Sequence, residues 1–296
     1  MSSAEDRFRG VFALLLTPFQ PNGSIDWQVY ERYVDWQLAQ RPHGLFASCG
    51  SSELKHLTAT ERVQLARRAV ERAGSTPVVA VANADPETAS HEHELARMAD
   101  TGVSGVVFIP PNGMGTDQDR LGEYFAALAA KSPVPVLLYE IPASKPKDIA
   151  PATYGRLVRE TNVCGVKDTS GTLSGALAKL EAAPDGVLYQ AVAPFLQETL
   201  KAGGNGVMAI VSTAAARHVR ALWDAVRAQE GEQARDLQAR LTFLNAILEL
   251  GYVATAKYLV SLQGVPMGLT CRTGSTLSPP AAKSVETWYD ASGKEA

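Results

Sequence analysis

Short runs of β-branched and other apolar residues recur along the chain, starting near Val11, Gly44, Val78, Gly105, Val134, Val163, Val187 and Gly206. Their spacing averages about 28 residues, the length of one strand followed by one helix. The segments between them carry helical periodicity and recognisable helix starts. A helix opening at Asp26 places Trp27, Tyr30, Val34 and Leu38 on one apolar stripe, suited to packing on a sheet. Thr58-x-x-Glu61 reads as a capping box, Asp85-Pro86 as an N-cap with proline at the first helical position, and Thr116 as a further cap. Gly102 falls where a left-handed residue is needed after the third helix. Strand then helix, eight times over, predicts a closed parallel (β/α)8 TIM barrel of the α/β class. An open doubly wound sheet would leave the count of eight unexplained.

After the eighth strand the pattern turns wholly helical, over residues 212–229, 233–250, 254–263 and 279–289. The first of these completes the barrel. The other three predict a C-terminal three-helix extension packed on the barrel's side and too small for a core of its own. The expected organisation is therefore a barrel over residues 1–229 carrying the active site and an extension over 230–296, with no linker between them.

Composition narrows the partners. The 296 residues are 46% hydrophobic and 20% charged, which is the balance of a folded globular protein. With 28 Lys+Arg against 31 Asp+Glu and no basic run, neither nucleic acid nor an anionic membrane is an expected partner. No apolar stretch is long enough for a signal peptide or a membrane span, so the expected compartment is the cytoplasm. Cys49, Cys164 and Cys271 are odd in number and contain no Cys-x-x-Cys, which suggests neither disulfides nor zinc. His91 and His93 lie two apart on a helix and face different ways, while His43, His56 and His218 are scattered. All five are expected as solvated surface residues, and no metal is expected. There is no Gly-x-Gly-x-x-Gly, and Gly171-Thr172-Leu173-Ser174-Gly175 lacks the context of a nucleophile elbow, so no nucleotide cofactor is expected either. The charges over 230–240 read as a solvated helix face.

In such a barrel the chemistry sits at the C-terminal ends of the strands. Two apolar strands end in polar residues there: Val134-Pro135-Val136-Leu137-Leu138-Tyr139 and Val163-Cys164-Gly165-Val166-Lys167. Strand alternation puts Val163, Gly165 and Lys167 on one face. If that face is the lumen, Lys167 closes it with a small residue beneath. An ammonium over an apolar lumen is desolvated, and its pKa falls by up to about 3–5 when burial is complete. The neutral amine can condense with a ketone, and the protonated imine then withdraws electrons so that a neighbouring C–C bond breaks or forms, or a β-hydroxyl leaves. That is class I aldolase chemistry. The Tyr139 phenol can donate and accept the protons it needs. A third element, Ser48-Cys49-Gly50-Ser51-Ser52-Glu53, is either a plain turn or one whose N–H groups and hydroxyls hold a carboxylate.

These residues resemble the dihydrodipicolinate synthase/N-acetylneuraminate lyase family of pyruvate-type class I aldolases. The likeness runs from Leu16-Thr17-Pro18-Phe19 and Gly23-Ser24-Ile25-Asp26, through Tyr139-Glu140-Ile141-Pro142 and Gly165-Val166-Lys167-Asp168-Thr169-Ser170, to Gly203-Gly204-Asn205-Gly206-Val207. The resemblance implies Lys167 as imine former, Tyr139 as acid/base, Gly50, Ser51, Ser52 and Met208 as substrate-binding residues, and a homotetramer or homodimer. Three departures stand beside it. Gly50 occupies the place of the family's relay threonine, and Pro110-Pro111-Asn112-Gly113 lacks the tyrosine that the synthases lend to a neighbouring subunit. Ala143-Ser144-Lys145-Pro146 lacks the arginine that holds the second substrate's carboxylate, with Lys145 one position off. The expected activity is a Schiff-base lyase on a 2-oxo acid, by aldol reaction with pyruvate or dehydration of an unphosphorylated 2-keto-3-deoxy sugar acid. The alternatives are dihydrodipicolinate synthase itself and a non-catalytic 2-oxo-acid sensor on the same scaffold.

Overall fold

The computed structural model describes residues 6–141 and 147–293. Its strands are β1 (Gly10–Leu14), β2 (Gly44–Ala47), β3 (Val78–Val81), β4 (Gly105–Phe108), β5 (Val136–Tyr139), β6 (Val163–Asp168), β7 (Val187–Gln190) and β8 (Gly206–Val207). They pair in parallel in chain order, and β8 returns to β1 to close the barrel. A helix follows each strand in turn: α1 (Trp27–Ala39), α2 (Ala59–Ala73), α3 (His91–Ala99), α4 (Gln118–Ala129), α5 (Pro151–Glu160), α6 (Leu173–Ala182), α7 (Leu196–Lys201) and α8 (Ser212–Arg227). The expected eightfold barrel is borne out. Then come α9 (Gly231–Glu249), α10 (Val253–Leu262) and α11 (Pro279–Trp288).

Period-two alternation sorts the strand residues into two layers. Phe12, Leu14, Val79, Val81, Val107 and Leu137 fill the lumen, while Val11, Ala13, Val78, Ala80, Val106 and Val136 meet the helices. Burial of each such side chain stabilises the fold by about 1.5–3 kcal/mol for the larger residues, so both layers hold the strands in place. The fifth strand starts at Val136 and not Val134, because Pro135 has no N–H to donate to the ladder.

The sixth strand corrects the simple alternation. Val136 pairs with Val163 but Leu137 pairs with Gly165, so Cys164 is an extra residue in a β-bulge. Val163 therefore packs outside, against the helices, and the phase slips by one before Gly165 and Lys167 turn inward. Without the bulge, an outward Val163 would carry Lys167 outward as well. Gly165 is required beneath it: a Cβ there would lie 2.6 Å from the Val187 carbonyl oxygen and 2.8 Å from a Leu137 methyl.

Other local signals held or shifted for identifiable reasons. The Thr58/Glu61 capping box forms, Asp26 caps α1 and Gly102 has φ +85°. Asp85 and Thr116 do not cap helices. The Asp85 carboxylate accepts from Glu87 N–H in a local turn, and a short 3-10 turn delays α3 to His91. Asp117 caps α4, while the Thr116 hydroxyl donates back to Gly113. The buried face of α1 consists of Tyr30, Tyr33, Val34 and Gln37, with Trp27 and Leu38 half-buried. Tyr33 and Gln37 turn inward because both donate to the Thr213 carbonyl at the start of α8, at 2.7 and 2.8 Å. Two of the histidines expected on the surface are buried. His91 bonds the Tyr124 hydroxyl and the Asp85 carbonyl, and His218 bonds the Ser292 carbonyl.

The C-terminal helices reach further than the barrel's side. α9 lies along α8 and buries Leu241, Leu244 and Leu248. α10 arrives at the rim where the strands end, and Lys257 there pairs with Glu53 in the turn after β2 at 2.8 Å, both side chains wholly buried. No helix among the described residues is long and apolar enough to cross a membrane.

Candidate active site

The ends of β5 and β6 bring Tyr139 and Lys167 together as direct register partners. The Lys167 Nζ sits 4.0 Å from the centroid of the Tyr139 ring and 5.5 Å from that of Phe46. The lysine is 4% exposed, and no carboxylate among the described residues pairs with it. Burial lowers its pKa to about 8, with Cys49 pulling weakly the other way. At pH 7 such an amine is neutral in about one molecule in ten, against about one in 3,000 at the ordinary value. Burial, and then the nearby Cys49, pushes the Tyr139 phenol well above its ordinary range, so it stays protonated as a donor.

The residues that follow these two face outward and lock the strand ends. Lys179 of α6 donates to Glu140 at 2.9 Å and to Asp168 at 2.7 Å, all three nearly inaccessible. Burial alone would depress the Lys179 pKa, but Glu140 and Asp168 raise it, so the bridge stays charged. Burial and Asp168 raise the pKa of Glu140 against the pull of Lys179. Thr169 donates to the Glu140 carbonyl, and Asp168 accepts from Ser170 N–H and hydroxyl. The functional side chains thus point inward from two strands tied together on their outer side.

The turn after β2 forms the third part. Gly50 and Ser51 open a 3-10 turn, so their N–H groups have no acceptor within it and can face an anion. The Ser52 hydroxyl is committed elsewhere: it donates to the Leu15 carbonyl at 2.5 Å and accepts from Cys49 N–H. It staples the turn to the segment just after β1. Glu53, with φ +63°, accepts from Lys257 and from Thr273 N–H, anchoring the turn to the C-terminal segment. A Cβ on Gly50 would lie 3.2 Å from the Tyr139 hydroxyl, so the turn and the phenol are in direct apposition. Met208 is buried in the luminal cluster with Tyr139 and Leu137.

A cleft of about 630 Å³ opens above these groups. Gly50 and Tyr139 form part of its wall; Lys167, Ser51, Ser52 and Met208 are buried and do not line it. Residues not anticipated from sequence complete it. Tyr252, from the junction of α9 and α10, lines the cleft close to Gly50. Lys147 also lines it, buried and with no acceptor among the described residues; burial, then Lys55, lowers its pKa. The loop with Pro110, Pro111 and Asn112 lines the cleft without a tyrosine, as its sequence requires. Lys145 and its neighbours Ala143, Ser144 and Pro146 lie outside the described residues. No group of three or more His, Cys, Asp or Glu among the described residues could hold a metal ion. A signal for Tyr252 did exist, since Gly251-Tyr252 interrupts two helical patterns; Lys147 carries none.

Comparison with known proteins agrees with this architecture. The 4-hydroxy-tetrahydrodipicolinate synthase of Rhodopseudomonas palustris is 30% identical over 88% of this chain and 89% of its own length. That of Acidiphilium cryptum is 30% identical over 87% and 89%. In three dimensions the chain resembles the crystal structure of dihydrodipicolinate synthase from Thermotoga maritima, at 22% identity and a TM-score of 0.90 over 97% and 99% of the two chains. It also resembles a monomeric dihydrodipicolinate synthase variant, at 22% identity and a TM-score of 0.90 over 98% of each chain. The sequence matches the Dihydrodipicolinate synthetase family over residues 7–284, almost its full length. The lysine and tyrosine motifs that suggested this kinship lie within that span, and the chain belongs to the dihydrodipicolinate synthetase family.

Proposed function

We propose that this protein is a lyase that joins Lys167 to the ketone carbon of a 2-oxo acid. The lysine nitrogen attacks, the carbinolamine oxygen takes a proton from Tyr139 and leaves as water, and a protonated imine remains. The Tyr139 phenolate then removes a proton from the adjacent carbon to give an enamine, or from the C4 hydroxyl of a longer acid so that the C3–C4 bond breaks. With a β-hydroxyl on the substrate, the same enamine expels it as water, the hydroxyl taking the proton that Tyr139 has just removed from the adjacent carbon. The substrate carboxylate is held by the N–H groups of Gly50 and Ser51, and Met208 gives an apolar backing. The observation that carries this reading is Lys167 itself, buried, unpaired and resting on the ring of Tyr139 beside a turn with open N–H groups. The substrate class is an aldol pair of pyruvate and an aldehyde, or a 2-keto-3-deoxy sugar acid.

The test is to incubate the protein with pyruvate and sodium borohydride, digest it and weigh the peptides. A reduced pyruvyl adduct on Lys167 is expected. No adduct across several 2-oxo acids would leave a non-catalytic sensor as the better reading.

A second reading has its own support. The relatives are named 4-hydroxy-tetrahydrodipicolinate synthase, and the buried Lys147 places a cation in the cleft wall where an acidic aldehyde could anchor. Turnover of pyruvate with aspartate semialdehyde exceeding that with 2-keto-3-deoxy acids would decide for it.

Self-association, as a homotetramer or homodimer, is supported by the family likeness and by Phe243 and Leu250, which are 68% and 59% exposed along one end of α9. Light scattering should report a multimer that Phe243→Glu weakens. A cytoplasmic location is supported by three cysteines that form no disulfide, and cell fractionation tests it.

A further inference from the structure

The proton that Tyr139 takes from the substrate must reach solvent if it is to exchange, yet the hydroxyl has no hydrogen-bond partner among the described residues. The nearest candidate is in the C-terminal segment. Tyr252 has φ +45°, a backbone region that a bulky non-glycine residue rarely adopts unless the surroundings impose it. That conformation turns the side chain off the helix junction and into the cleft. The residue is 42% exposed as a whole, but its phenol oxygen reaches inward to 4.0 Å from the point where a Cβ on Gly50 would begin. The Tyr139 hydroxyl is 3.2 Å from the same point. The Ser51 side chain engages the Tyr252 phenol. Burial and the neighbouring Tyr139 push that phenol up to about 12, which keeps it protonated and marks the two rings as electrostatic neighbours.

We propose that Tyr252 is a relay residue for Tyr139, passing protons between it and the cleft through a water molecule seated over Gly50. The inference rests on the reading of Lys167 and Tyr139 given above. Once the Tyr139 phenolate has taken a proton from the carbon next to the imine, it passes a proton to the bridging water, the bridge passes one to Tyr252, and Tyr252 gives one to cleft water. One O–H bond forms for each that breaks. The path runs in reverse when a solvent proton is delivered through Tyr139 to the enamine carbon. A side chain at position 50 would occupy the bridge, so glycine and Tyr252 form one device. Every hydroxyl in it comes from a single chain.

The experiment compares the parent with Tyr252→Phe and Gly50→Ala, following exchange of the pyruvate methyl protons with D2O by proton NMR. Removing an acid/base step costs about 10²- to 10⁴-fold, and a relay one position removed should cost about 10- to 100-fold. The expected result for Tyr252→Phe is a fall of that size in the maximal exchange rate, with the half-saturating pyruvate concentration and the borohydride-trapped Lys167 adduct unchanged. Gly50→Ala should slow exchange too, and the double variant should be no slower than the worse single one. Exchange at the parent rate in folded Tyr252→Phe, or a change in half-saturation alone, overturns the relay. Multiplicative losses in the double variant overturn the shared bridge. Absence of any adduct in the parent protein overturns the Lys167 reading and the relay with it, whereas a normal adduct with unaltered exchange in Tyr252→Phe overturns the relay alone.

Discussion

At the residue scale, the decisive quantity is the cost of keeping one amine out of water. Burial brings the Lys167 pKa to about 8, while the unfolded chain keeps its ordinary value of about 10.5. Between those two values the unfolded state binds more protons, so stability rises with pH across that window, and below about pH 8 the full cost of charging the buried amine is present. The difference is worth about 3 kcal/mol. Lys167→Met should therefore abolish the pyruvate adduct and yet stabilise the protein at pH 7. Denaturation at pH 7 and at pH 10 checks it, and equal stability of variant and parent at pH 7 would count against a desolvated lysine. The neutral amine is the nucleophile, so adduct formation should slow about tenfold per pH unit below about 8 and level off above it. Lys167 and Tyr139 were legible in sequence because both end apolar strands, where a polar residue is conspicuous. The partner of the Ser52 hydroxyl was not legible, because a hydroxyl looks the same in sequence whether it faces a ligand or the Leu15 carbonyl.

At the element scale, the aim of these side chains depends on features that run between strands. The bulge at Cys164 sets the phase of β6, and Lys179 ties Glu140 to Asp168 across the outer side of β5 and β6. Lys179→Met should leave two buried carboxylates without a counter-charge and cost about 3–5 kcal/mol, read from the urea midpoint. A loss below about 1 kcal/mol would show that the bridge is not holding the strand ends. The capping box of α2 was legible because it is completed within four residues. The face of α1 was not, because Tyr33 and Gln37 are buried by carbonyls of α8 that lie far along the chain.

At the scale of the whole molecule, the C-terminal helices are part of the site. Lys257 neutralises Glu53 beneath the Gly50 turn, and Tyr252 enters the cleft five residues earlier. Lys257→Met should leave Glu53 buried without its lysine partner, with a loss of stability of about 3–5 kcal/mol and weaker pyruvate binding through the loosened turn. Calorimetry and pyruvate titration check both effects, and an unchanged melting temperature would mean that the pair contributes little. A chain ending at residue 229 would expose the face of α8 that Leu241 and Leu244 cover. It should lose the cooperative thermal transition seen by circular dichroism.

Hydrophobic periodicity acts between near neighbours in the chain, so residue order alone specified eight strand-helix units, a closed barrel and two polar strand ends. It also determined the absence of a hydroxyl at Gly50 and of a tyrosine after Pro110. The tertiary structure decided which distant residues meet: Glu53 with Lys257, Gly50 with Tyr252, and Lys147 with the cleft. Such encounters follow from barrel closure and from the burial of charges that must find partners. Both are long-range conditions that leave no local pattern in the order of the residues.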